Sequence, residues 1–96
     1  MDAGLQNRIT RIAKEMGGVI HPKSPSDYPI LRLEMLGGFR VEFYPTGNGQ
    51  YVQAARFIGE GRMNDHTLNT DSSDEDLRKC LTPEGTVPAI NPGLAR

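Results

Sequence analysis

The chain has 96 residues, 36% of them hydrophobic and 24% charged, with a formal net charge of -1 at neutral pH, which suits one small folded domain and leaves no room for a second independent core. A charge so near zero sets up no field able to hold nucleic acid or an anionic membrane, so such binding would need a local basic patch. The single cysteine, Cys80, excludes an internal disulfide, and the chain reads as one that does not depend on oxidation.

Residues 1–16 carry Arg8, Arg11 and Lys14 among their apolar positions, so neither a cleavable signal peptide nor a membrane span is expected and the predicted location is cytoplasmic. Leu5, Ile9, Ile12 and Met16 recur at spacings of four, three and four, the pattern of an amphipathic helix. Asp2 is suited to cap its start, and Gly17-Gly18 to close its end. Val19 to His21 is a candidate short strand directly after the glycines. Pro22, Pro25 and Pro29 interrupt both helix and ladder, which predicts a surface loop over 22–29.

Residues 30–44 carry the clearest periodicity. Leu31, Leu33 and Met35 alternate with Arg32 and Glu34, then Phe39, Val41 and Phe43 alternate with Arg40 and Glu42, as in two half-buried strands. A two-residue turn at Gly37-Gly38 would mix the faces, whereas a three-residue Leu36-Gly37-Gly38 loop pairs Leu31 with Phe43, Leu33 with Val41 and Met35 with Phe39. Arg32 then meets Glu42, and Glu34 meets Arg40, on the solvent side. Pro45 to Gln50 has the composition of a turn, and Tyr51 to Ile58 that of a third strand. Pairing Tyr44 with Tyr51 leaves Arg56 beside Phe39, which breaks the alternation and predicts a bulge.

The six aromatics all lie between Tyr28 and Phe57, so the core is expected to end after Ile58. Residues 65–84 hold six acids against Arg78 and Lys79. Ser72 followed by Glu75 has the spacing of a capping box, predicting a short helix over 73–81 that Pro83 stops. The proline- and glycine-containing end reads as an irregular tail. The expected architecture is therefore α+β: an N-terminal helix on a three-stranded antiparallel meander in a compact core over 1–62, then an acidic C-terminal segment over 63–96.

Candidate chemistry is sparse. His21, His66, Cys80 and Asp65 lack the close pairing that positions metal ligands, so neither a metal nor another cofactor is expected. No signature surrounds Cys80, and Ser72 or Ser73 near Asp65 and His66 has the letters of a hydrolase triad in a polar loop, where capping is the simpler role. The Ser72-Ser73-Asp74-Glu75-Asp76 run also has the composition of an acidic phosphorylation acceptor. Gly47-Asn48-Gly49 precedes a strand and not the helix that a phosphate loop needs. The chain reads as non-enzymatic. Arg32, Arg40, Tyr44, Tyr51 and Gln53 fall on the solvent side of the predicted sheet and are the candidate contacts to a protein partner. Arg8, Arg11 and Lys14 offer a thin basic edge for a nucleic-acid alternative.

The segments Leu5 to Gly17, Ile30 to Leu36, Phe39 to Pro45 and Tyr51 to Gly59 together resemble, over residues 3–60, the first half of bacterial type III secretion chaperones. That resemblance implies binding of secretion substrates and homodimer formation. In outline the same order also resembles the double-stranded-RNA-binding domain, although Asp74-Glu75-Asp76 stands where that family is basic. A small inhibitor or regulator from a phage or mobile element is a further protein-binding class compatible with these residues.

Overall fold

The computed structural model describes residues 1–22, 29–46 and 51–84. In chain order these form α1 (Ala3–Glu15), β1 (Val19–Pro22), β2 (Leu31–Glu34), β3 (Phe39–Thr46), β4 (Tyr51–Ile58), β5 (Gly61–Arg62), β6 (His66–Asn69) and α2 (Asp74–Cys80). The strands make one antiparallel sheet in the order β1-β2-β3-β4, with β5 and β6 both paired to the remaining edge of β4.

The α+β class with an N-terminal helix, an antiparallel sheet and a short C-terminal helix is therefore present, but the three-stranded meander is corrected to a wider sheet. β1 and β6 have four residues each and β5 only two, lengths at which alternation barely repeats. Their pairing is decided by the edges that β2 and β4 leave open.

Local chemistry accounts for α1. Asp2 caps it through a carboxylate oxygen that accepts from the Leu5 amide at 2.9 Å. At the other end Gly17 takes a φ of 82°, and the Gly17 and Gly18 amides return to the carbonyls of Lys14 and Ala13 at 3.0 and 2.8 Å. This is the reciprocal closure that a left-handed glycine permits. The inward stripe is Leu5, Ile9, Ile12 and Ala13.

The β2–β3 hairpin has the expected register, with Leu31 opposite Phe43 and Leu33 opposite Val41. The connection is the Leu36–Gly38 turn, with both Gly37 and Gly38 at a φ of 77°, a conformation that side chains with a Cβ resist. The next register differs from expectation. Tyr44 lies opposite Gln53, and Tyr51 opposite Thr46, because β3 continues through Pro45 and Thr46. The ladder has no bulge at Arg56, which pairs with Val41 and keeps the alternation by pointing inward at 2% exposure. The 47–50 turn, the loop residues 23–28 and the tail beyond Glu84 lie outside the described residues.

Nor does the core stop at Ile58. Leu68 of β6 and Leu77, Cys80 and Leu81 at α2 join α1 and the inner residues of β2, β3 and β4 in one buried cluster. An aromatic count misplaced its boundary because leucines and a cysteine, not aromatics, complete it. The helix predicted over 73–81 is found at Asp74–Cys80, but its cap is Ser73, whose hydroxyl accepts from the Asp76 amide at 3.1 Å. Ser72 instead is buried and accepts from the Asn69 amide at 3.0 Å, so the capping box at Ser72 and Glu75 is corrected by one residue.

Candidate functional site: the uncovered face of the sheet

Both helices contribute to the cluster on one face of the sheet, and among the described residues no helix covers the other. Strand alternation places Arg32, Arg40, Tyr44, Tyr51 and Gln53 together on that outer face. All five are partly exposed. Neighbouring outward positions add Phe57 and Ala55 from β4, Arg62 from β5 and Asp65 just before β6.

The face has a notch of about 380 Å³ lined by Tyr44, Pro45, Thr46, Gln53, Ala55, Phe57, Arg62 and Asp65. Its origin is a size difference along one strand. Ala55 stands between Gln53 and Phe57 and is only 3% exposed, so the longer side chains around it form walls above a floor without a side-chain tip. The notch falls in the size range of small-molecule and side-chain pockets, roughly 300–1,000 Å³. It unites Tyr44 and Gln53; Arg40 reaches its border by stacking on Phe57, whereas Arg32 and Tyr51 are not among its lining residues.

Phe57 carries the Arg40 guanidinium 4.5 Å from its ring centroid and that of Arg62 at 5.6 Å, both within cation–π range. Gln53 donates to Asp65 at 3.1 Å, and Arg62 reaches the same carboxylate at 2.9 Å. The Tyr44 hydroxyl donates to Glu42 at 2.9 Å. Arg32 and Arg40 occupy the predicted positions opposite Glu42 and Glu34, yet their contacts run along the strands. Arg32 meets Glu34, and Arg40 meets Glu42, each at 3.5 Å, while His21 approaches Glu34 at 3.4 Å. Arg32, Arg40 and Arg62 are thus balanced by Glu34, Glu42 and Asp65, and the face has aromatic and guanidinium character without a strong field.

Phe57 was legible in the same alternation as Tyr51 and Gln53 but was not singled out by the sequence. Arg62 and Asp65 carried no periodic signal, because they flank the break between β5 and β6.

The remaining candidates are dispersed. His21 belongs to the outer face and His66 to the inner, so these two do not converge on a metal. Burial pushes the Cys80 thiol up to about 12, which keeps it protonated and a poor nucleophile at neutral pH. The hydroxyls of Ser72 and Ser73 serve backbone amides. The basic edge of α1 is largely engaged: Arg8 donates to Asp74 and to the Ser72 and Thr70 carbonyls, and Arg11 contacts Asp74 at 3.3 Å. These contacts hold the Asp74 carboxyl below the usual carboxylate range. Arg11 also pairs with Glu15 at 3.6 Å, and Glu15 in turn meets Arg78 at 2.6 Å. The acidic start of α2 thus neutralises the arginines that a nucleic acid would need.

Among the described residues no helix is long and apolar enough to cross a membrane. Comparison with protein-family models, with curated proteins and with solved structures finds no match for the chain.

Proposed function

We propose that the chain is a non-catalytic protein-binding module, acting in the cytoplasm, whose partner seats on the outer face of the sheet. The observation that supports this reading is the gathering of Arg32, Arg40, Tyr44, Tyr51 and Gln53 with Phe57 and Arg62 on one uncovered face around a notch. Aromatic and arginine side chains supply large contact areas and act as anchors where a partner excludes water. The balance of three arginines and three carboxylates favours a protein surface over a phosphate backbone, and Arg8 and Arg11 are already committed to Asp74. The absence of catalysis is part of the proposal; a protonated Cys80 and hydroxyls engaged with backbone amides support it.

A secretion-chaperone form of this reading requires a stable complex with a client or a homodimer, and a phage or mobile-element regulator requires only a folded target. Either uses the same face. The test is to identify a partner, purify it and measure its affinity for the wild type, Tyr44→Ala, Tyr51→Ala and Ala55→Phe. The first two remove anchors and the third fills the notch. Affinity reduced about tenfold or more in at least one variant is expected, the scale of an interface hot spot. Affinities equal to the wild type in all three would assign binding to another surface.

A further inference from the structure

We infer that Arg56 and His66 form a pH-sensitive clasp that holds the end of α2 against the sheet and lets it go when His66 takes up a proton. This rests on the inner face and is independent of what the outer face binds.

The Arg56 guanidinium is held by groups remote in sequence. Nε donates to the Cys80 carbonyl at 3.0 Å, and Nη2 donates to those of Thr82 at 2.5 Å and Pro83 at 3.2 Å. Its Cζ lies 5.3 Å from the centroid of the Phe39 ring. A cation here also suits the negative end of a helix. The fourth direction decides the matter: Nη1 faces Nε2 of His66 at 3.0 Å. A guanidinium nitrogen only donates, so Nε2 must accept, and the imidazole is the neutral tautomer protonated at Nδ1. A proton on Nε2 removes that acceptor and sets two cations in contact inside the core, so the clasp and a charged His66 exclude each other.

Among the described residues Asp65 is the counter-charge that acts on His66, and its influence is smaller than those of burial and of Arg56. Arg56 comes from β4 and stays protonated at neutral pH, although burial lowers its pKa. From α2 the facing titratable group is Cys80, neutral because its thiol is pushed up to about 12. Asp65, beside His66 in the chain, is held by Arg62 and Gln53. His66 itself is 8% exposed, and its Nδ1 has no hydrogen-bond partner among the described residues. Burial first, and then Arg56, lower the His66 pKa below the ordinary histidine value, with Asp65 pulling weakly the other way. The clasp's contribution is therefore fully present above the unfolded histidine value and is lost as pH falls through that value toward the lower folded one. Leu81, Thr82 and Pro83 also form one wall of a second, smaller cleft with Met16, Met35 and Leu36, so release uncovers apolar side chains at that end of the molecule.

The test is amide hydrogen exchange, corrected for intrinsic rates, on the wild type and His66→Gln, whose side-chain oxygen still accepts from Arg56 without titrating. From about pH 7.5 to about pH 5, wild-type protection at the Leu77, Leu81 and Thr82 amides is expected to fall several-fold relative to Ile9 and Ile12, whose protection does not depend on the clasp. In His66→Gln the ratio stays constant. Equal acid losses in both proteins, or a constant ratio in the wild type because His66 swings out while α2 stays docked, would overturn the clasp. Following the wild-type imidazole signals by NMR needs no variant: His66 titrating at or above the ordinary histidine value would also overturn it.

Discussion

The two faces of this sheet are built from the same strands and the same alternation, yet they use arginine in opposite ways. On the inner face Arg56 is buried, donates to carbonyls beyond its own strand and ties the chain's later half to the sheet. On the outer face Arg32, Arg40 and Arg62 remain partly in water and paired with carboxylates, and Arg40 and Arg62 also stack beside Phe57. Burial makes every unmet donor costly, so the inner arginine is held by fixed partners on each of its three nitrogens. Solvent makes the outer pairs cheap to rearrange, so those arginines remain available to a partner.

The sharpest way to break this comparison is to remove inner apolar volume. Phe43→Ala, at a fully buried position, is expected to lower stability by about 3–5 kcal/mol, from lost burial and the cavity left behind; urea unfolding measures it. Arg56→Met ranks next. It keeps an apolar body but strips donors from the Cys80, Thr82 and Pro83 carbonyls, and a loss of about 3 kcal/mol is expected, appearing also as faster exchange in α2. If Arg56→Met matched the wild type in stability, the buried guanidinium would be a passenger and not a tether. At the small end, Tyr44→Ala and Tyr51→Ala should each change stability by no more than about 1 kcal/mol, since neither supports the core. A loss at either tyrosine as large as that of Phe43→Ala would mean that the outer face serves folding, and would remove it as a candidate binding surface.

Much of the fold was legible because its signals are local. The stripe of α1, the glycine closure at 17–18 and the parity of the Leu36-Gly37-Gly38 connection all follow from side chains within a few residues of one another. The outer location of Arg32, Arg40, Tyr44, Tyr51 and Gln53 followed from the same parity. It survived a register shift between β3 and β4, because a slip of two residues leaves each side chain on its original face. The notch did not follow: it needs the β3–β4 register to set Tyr44 opposite Gln53, diagonal to Ala55, and Arg62 and Asp65 to arrive from a broken edge strand.

Period and capping chemistry alone thus determined where α1 lies, how β2 turns into β3 and, within one residue, where α2 begins. Tertiary structure decided the meaning of Arg56. In the alternation it looked like an error, and the carbonyls that correct it come from 24 to 27 residues further along the chain. A charge becomes a core residue only when its partners are brought to it, and no window of sequence around position 56 contains them.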